Sequence, residues 1–529
     1  MPELPDTGAE RFTRRVGSFT LGTLISRLFG VIRESVFAYL FGAGLVTDAF
    51  NVAFRIPNFF RDLLAESALS AAFVPTFVQL RRTTDPKTTW RFAANIFNTI
   101  FILITLLVLL GIIFAPQVVR LIAWGFRPDP EKLTLTIHLT RIMFPFLLFV
   151  ALAAWAMGIL NACGSFFVPA VAPAAFNIIS ALLPLALYNL LVRLGTQPIF
   201  GMAYGVTIGA LFQFLIQLPR LGSFGYSFQP VIDLRDPALH QVFRRWVPML
   251  FGLATWQVNF LLNTFLLTFL PPGSVTWVTY AYRIQHLPAG LFGVAIGTVA
   301  LAQFSHTATT TLDRRQFQHG LNLVSVLTLP AAVLLLVLAV PLVRFLYQHG
   351  RFTPADTVYT AQALALYALG IWPAAAVRNC AAGFYALGNT RTPALIALLV
   401  VSVNIGINLI LMRVIGFRSF PLAASLTQLL NFTLLYLLLT RHQPQLHIPH
   451  FFSVFTRTLL AALIAGLFTL ALVRLYETLI PAHHLLTEFA ELLITGTLGI
   501  LVYYLTARLL KLQEVSAAFR ALIRRPTSN

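Results

Sequence analysis

The apolar residues of this chain neither alternate nor recur on one helical face. They come in continuous runs of about 20 residues, long enough as helices to cross the hydrocarbon core of a bilayer. Short polar or Pro/Gly-rich breaks separate the runs, at about 17–41, 47–80, 92–119, 134–160, 169–193, 199–219, 243–270, 275–304, 320–346, 357–386, 393–415, 420–440, 453–476 and 486–509. No large soluble domain fits between them. The pattern predicts an all-α integral membrane protein with about 14 transmembrane helices.

Composition agrees with lipid as the solvent. Of 529 residues, 58% are hydrophobic and 10% charged, with a mean hydropathy of +0.79, more apolar surface than a water-soluble fold of this size hides. The formal net charge of +19 would suggest nucleic acid in a soluble protein. Here the basic residues sit in short loops between runs, the pattern of positive-inside topology and anionic headgroups, so no nucleic-acid partner is expected. An even number of spans places both termini on one side. Arg14, Arg15, Arg81, Arg82, Arg244, Arg245, Arg314, Arg315 and the tail from Arg508 all fall on that side, which makes it the cytoplasm. The basic N-terminus through Arg15 lacks a small-residue cleavage pattern and reads as a cytoplasmic lead into the first span. Cys163 and Cys380 are isolated, and His442, His447 and His450 lie in a Pro-rich loop, so neither a disulfide framework nor a metal site is indicated. No Walker A, G-x-S-x-G or H-E-x-x-H pattern supports an ATPase or hydrolase.

The chain repeats itself at an offset of about 225 residues. DAFNVAFRIP at 48–57 resembles TWVTYAYRIQ at 276–285, APQVVRLIAWGFRPD resembles VPLVRFLYQHGRFTP, Pro145 aligns with Pro373, and GILNACGSFFVPA resembles GFYALGNTRTPA. An offset of six spans preserves orientation, so the halves are parallel repeats about an axis along the membrane normal. This gives an N-terminal lobe at 1–230, a C-terminal lobe at 231–445, and an appendix of two further spans with a cytoplasmic tail at 446–529. Lobes of this kind leave a transport cleft between them. Prolines within the runs, among them Pro173, Pro184, Pro248, Pro288 and Pro330, suit helices that bend.

Charges stand inside the first two runs, where each costs from about 2.5 to more than 10 kcal/mol if left facing lipid. On an ideal helix Asp48, Arg55, Asp62 and Glu66 share one face, which reads as an ion-pair ladder holding the second span to its neighbours. Glu34, seven residues after Arg27 and on nearly the same face, is positioned to neutralise it. Arg33 has no evident partner in the sequence, Arg61 no acid at helical spacing, and Arg283 no carboxylate within a turn of the eighth span. Arg27, Arg33, Arg61 and Arg283 therefore read as a cationic lining with too few acids to cancel it. The planar guanidinium fork suits bidentate capture of phosphate oxygens, so the expected ligand is a phosphate or diphosphate. Asn404 and Asn408, one turn apart, could offer oxygens to a cation together with Asn263; hydrogen bonding between helices is the better-supported role.

SRLFGVIRE, FGAGLVTDAF, FRIPNFFRDLLAESALSAAFVP, GSVTWVTYAYRIQHLPAGLFGVAIGT, YQHGRFTPADT and YALGNTRTPA closely resemble the MurJ (MviN) family of lipid II flippases, within the multidrug/oligosaccharidyl-lipid/polysaccharide exporter superfamily. The resemblance runs from about Ser18 through the twelfth span, with an extension through the last two. It implies a transporter, not an enzyme, in the bacterial cytoplasmic (inner) membrane. The implied cargo is lipid II, the undecaprenyl-diphosphate-linked peptidoglycan precursor, carried to the outer leaflet by alternating access. Membrane lipids and the cell-wall synthesis machinery are the expected partners, and the resetting of an empty cationic cavity is expected to draw on the membrane potential as driving force. The family's essential arginines match Arg27, Arg33, Arg61 and Arg283, its acid after the Gly-Ala-Gly turn matches Asp48, and its last two helices form a groove proposed for the lipid tail. Some relatives bind a sodium ion in the C-terminal lobe with acids and amides; Asn263, Asn404 and Asn408 fall at those positions without a carboxylate. Tyr282 replaces the acid that often precedes the arginine of the eighth span. Two other readings are a flippase for another undecaprenyl-diphosphate-linked glycan and a multidrug antiporter of the same fold. The second calls for an acidic cavity to receive cationic drugs, where this one is basic. A third is a non-transporting scaffold, against which stand the retained arginines.

Overall fold

The computed structural model describes residues 8–64, 68–288, 311–446, 449–480 and 484–515, with a few single positions between 297 and 304. Helices make up most of these residues, joined by short turns and by the irregular stretch 226–236, with no strand among them. Nine stretches are long and apolar enough to cross a bilayer among the described residues, where the sequence leads to fourteen runs. One stretch, 391–442, is two helices separated by the turn Gly416–Arg418. The runs at 17–41 and 47–80 carry the charges discussed above, and 275–304 passes through residues outside the description.

By contact the chain forms two compact units, Met1–Val275 with His349–Phe352, and Thr276–Gln348 with Thr353–Asn529. In the first, helix starts are written as Asp-Pro. Asp85, Asp129 and Asp236 accept from the backbone N–H of Thr88, Lys132 and Ala238, and each is followed by Pro at the first helical position, where the missing N–H costs nothing. Hydrogen bonds from the Thr88 hydroxyl and N–H hold the Asp85 carboxyl below its ordinary range. Helices Phe167–Arg193 and Phe200–Leu215 form the tightest pair. Gly201, Gly205 and Gly209 turn one face of the second onto the first, where a Cβ on Gly209 would sit 2.7 Å from the Phe176 carbonyl and one on Gly205 3.1 Å from the Ser180 Cα. The Ser180 hydroxyl donates to the Gly205 carbonyl at 3.0 Å. Small residues at this spacing let backbones approach where the hydrophobic effect gives no drive. Gly209→Leu is expected to cost about 1–3 kcal/mol through overpacking, read as a lower melting temperature in detergent.

At the turn after helix Phe146–Ala162, burial pushes the Cys163 thiol up while the nearby Arg81 partly offsets it. Maleimide labelling of Cys163 should therefore keep accelerating above pH 9, and Arg81→Gln should slow it further; a rate that levels off at pH 8 contradicts this environment.

In the second unit, helices Arg314–Val337, Ile371–Ala386 and Ser419–His442 enclose Trp372, Phe384, Phe432 and Phe451. The last two helices, Pro449–Leu479 and Leu485–Leu509, pack on Arg314–Val337 through Val326, Ala461, Ala462, Ala465 and Ala507, and the Tyr503 hydroxyl donates to the Val326 carbonyl at 2.8 Å.

The backbones of the two units share landmarks at the offset seen in the sequence. Helix breaks at Phe114 and Leu338 have φ −88°, ψ 7° and φ −86°, ψ 8°. Gly164 and Gly388 both end a helix with positive φ. Asp129-Pro130 and Thr353-Pro354 both cap the helix that follows.

Candidate functional site

In the first unit, helix Gly8–Phe41 presents Arg27, Arg33 and Glu34. Arg27 is exposed and makes no ion pair or hydrogen bond among the described residues. Glu34 is buried and pairs with Arg33, whose guanidinium also lies 5.1 Å from the Phe176 ring. The expectation that Glu34 neutralises Arg27 is corrected by axial distance. Seven residues bring two side chains onto one face but separate them by about 10 Å along the axis, beyond ion-pair reach, whereas Arg33 folds back onto its neighbour.

The second helix, Leu45–Leu64, follows a turn in which Gly42 takes φ +63°. A Cβ at Gly42 would also run into the Arg351 carbonyl, so both the backbone and the space require glycine there. The Gly44 N–H donates to the Thr47 hydroxyl at 2.7 Å, and Asp48 emerges in the first helical turn with 1% of its surface exposed. Its Oδ2 accepts from Lys132 Nζ at 3.1 Å and from the Gly273 N–H at 2.8 Å. Lys132 is 3% exposed, and its ammonium also lies 4.0 Å from the Phe126 ring centroid. One carboxylate thus joins helix Leu45–Leu64, helix Pro130–Met143 and the backbone just before Ser274.

Of the charges expected to hold the second helix to its neighbours, Asp48 does so through an ion pair to another helix, while Arg55 and Asp62 make contacts of other kinds. Asp48 pairs with Lys132, the Arg55 guanidinium carbon sits 3.1 Å from the Phe260 ring centroid, and Arg61 Nη2 lies 2.6 Å from Asp62 Oδ1. Asn58 donates to the other Asp62 oxygen at 3.3 Å. Arg61, expected to lack an acid, finds one next to it in sequence. Sharing a helix face does not bring Asp48 to Asp62, which lie about 21 Å apart along the axis. Glu66 lies outside the described residues. Lys132 was missed because the sequence places it in a loop ahead of a span starting at 134. The signal that could have found it is the need of a buried Asp48 for a cation.

In the second unit, Arg283 is half-buried on helix Ser274–Pro288. Beside it the Tyr282 ring packs against His286 and Tyr367. The indole N–H of Trp277 donates to Asp356 Oδ1 at 2.9 Å, and the other Asp356 oxygen accepts from the Thr353 N–H and hydroxyl. Asp356 occupies the same place after its cap as Lys132, so the equivalent joint carries the opposite charge. Arg344 reaches Glu477 at 3.0 Å and Glu491 at 3.8 Å, tying the last two helices to Ala339–Tyr347.

Asn408 donates to Asn404 Oδ1 at 3.3 Å, and Asn404 donates to the Thr427 hydroxyl of the next helix at 3.4 Å. Asn263, in the first unit, donates to Asn259 one turn away. These amides serve hydrogen bonds along and between helices, and among the described residues no group of three His, Cys, Asp or Glu is placed to hold a metal.

The family model described as Lipid II flippase MurJ matches residues 37–495. A lipid II flippase MurJ of Burkholderia cenocepacia is 34% identical over 460 residues, covering 84% of this chain and 87% of that protein. A solved structure of a lipid II flippase MurJ in an inward closed conformation superposes with a TM-score of 0.73 at 26% identity, over 96% of this chain and 99% of that one. An inward-facing multidrug resistance MATE family transporter of the MOP superfamily shares the fold alone, with a TM-score of 0.58 at 14% identity over 78% of this chain and 98% of that one. The chain therefore belongs to the lipid II flippase MurJ family, whose members are multi-pass membrane transporters and not enzymes.

Proposed function

We propose that this chain carries lipid II from the cytoplasmic to the outer leaflet of the bacterial inner membrane by alternating access, with both termini cytoplasmic. The observation that carries the reading is Arg27. It stands midway along an apolar helix, exposed, with no carboxylate on it among the described residues. A fixed cation in that position is stable only if it faces a polar cavity or an anion, and the diphosphate of lipid II is an anion of the right chemistry.

In this reading the diphosphate is taken by Arg27, Arg33 and Arg283, with Arg61 assisting. Closure on one side and opening on the other keeps the charge out of bare lipid while the polyprenyl tail stays in it. Return of the emptied, cationic site draws on the membrane potential, which supplies about 2.3 kcal/mol per charge per 100 mV.

Photocrosslinking from benzoylphenylalanine at positions flanking Arg27 tests the reading. Lipid II should be captured, and excess lipid II should compete while other undecaprenyl-diphosphate glycans compete weakly. Equal competition by the other glycans would shift the assignment to them, and capture of neither would overturn it.

A further inference from the structure

Between helices Leu218–Ser223 and Pro237–Leu267 runs a stretch without regular structure, Tyr226–Asp236, laid against helix Pro86–Ile113. Two asparagines of that helix hold its backbone. Asn98 Nδ2 donates to the carbonyls of Gln229 at 2.7 Å and Val231 at 2.9 Å. Asn95 grips Asp233 from both sides, donating to its carbonyl at 2.9 Å and accepting from its N–H at 2.8 Å, the pairing a neighbouring β-strand would give. Both asparagines are buried.

The side chains of the stretch alternate. Gln229, Val231 and Asp233 are partly covered, whereas Phe228, Pro230, Ile232 and Leu234 form the outer edge, with Phe228 64%, Ile232 55% and Leu234 64% exposed. Every outward side chain in this run is apolar, and the backbone bonds that tie the run to helix Pro86–Ile113 are made by the two asparagines. Exposed arginines flank the strip, Arg220 before it and Arg235 after it. On helix Pro86–Ile113 the asparagines lie between the charged start, with exposed Lys87 and Arg91, and an exposed apolar belt that begins at Phe101 and continues to Ile113. On the inner side Tyr226 packs edge-on to Trp90 and Trp155, while the outward Phe228 meets the Phe97 ring edge-on.

Irregular backbone is excluded from hydrocarbon because its N–H and C=O groups lose their water. Here Asn95 and Asn98 supply partners to part of that backbone, the carbonyls of Gln229, Val231 and Asp233 and the N–H of Asp233. We infer that residues 228–234 form a lipid-embedded strap, its apolar edge in contact with the acyl chains of the leaflet and its flanking arginines at the level of anionic headgroups. The strap fastens the start of helix Pro237–Leu267 to helix Pro86–Ile113, consistent with that helix packing within the first unit. The inference does not depend on what the protein carries.

The test is spin-label accessibility in the full chain, with Cys163→Ala and Cys380→Ala as background and single cysteines replacing Phe228, Ile232 or Leu234. The protein is reconstituted in phosphatidylethanolamine–phosphatidylglycerol vesicles, and collisions with oxygen are compared with those of a water-soluble nickel complex. Oxygen should dominate several-fold at all three positions. Nickel collisions approaching those of free label in water would overturn the inference, as would exclusion of both reagents, which would mean that protein, such as a second copy of the chain, covers the strip. Adding Asn98→Leu should raise both the mobility and the nickel accessibility of the label at position 232; an unchanged spectrum would remove Asn98 as the anchor.

Discussion

Lys132→Met is expected to remove most of the protein from the membrane and with it any growth rescue of a flippase-depleted cell. Asp48 and Lys132 are almost wholly buried and 3.1 Å apart. Deleting one partner of such a pair strands the other, at a cost of about 3–5 kcal/mol, a large part of a folded protein's total stability. Asp48→Asn takes the counter-ion from Lys132 instead, leaving the Phe126 ring beside its ammonium among the described residues. The informative comparison is with the double variant, Asp48→Asn together with Lys132→Met. It leaves no buried charge, and the asparagine oxygen can still accept from the Gly273 N–H. Protein level and thermal stability should return well above either single variant, a non-additivity expected only of residues in contact. Additive losses, measured by quantitative blotting and by melting in detergent, would show that the pair does not act as a unit.

The second large effect separates binding from stability. Arg27 is exposed and unpaired among the described residues, so Arg27→Ala should change stability by no more than about 0.5 kcal/mol. Rescue of a flippase-depleted cell should nonetheless disappear, because a charge-assisted contact to a phosphate is worth about 1.5–3 kcal/mol, a factor of about 10–150 in affinity. Arg27→Lys keeps the charge without the fork and should restore part of the activity. Arg33→Ala is a poorer probe, since it also removes the ion pair that Arg33 makes to the buried Glu34 and confounds the two effects. Full growth on Arg27→Ala at normal protein level would end the arginine proposal for the first unit.

How much was legible follows from which physics is local. Membrane-length apolar runs gave the all-helical fold, since the length of a run is a property of contiguous sequence. The charges of the first two helices were legible as anomalies for the same reason. Their partners were not. Helical-wheel reasoning measures angle and ignores rise, which is why it joins Glu34 to Arg27, and it names a face without naming the residue on the neighbouring helix that meets it. Lys132 lies 84 residues from Asp48 and Gly273 225 residues away, and no spacing rule reaches that far. Asn95 and Asn98 escape notice because two amides in a run dominated by Phe, Ile and Leu look like tolerated impurities until the backbone they hold is seen. Gly201, Gly205 and Gly209 are hidden by the abundance of glycine throughout the apolar runs.

The close pairing of Phe167–Arg193 with Phe200–Leu215 bears on biosynthesis. The six residues between these helices form a tight turn with Gly195 at φ +66°, and the Ser180–Gly205 bond forms across only 25 residues. A hairpin whose contacts are this local can close as soon as both helices leave the ribosome, before any part of the second unit exists. A chain truncated after about Ser223 and released from the ribosome should therefore already yield a protease-resistant helical pair, onto which the later helices are laid.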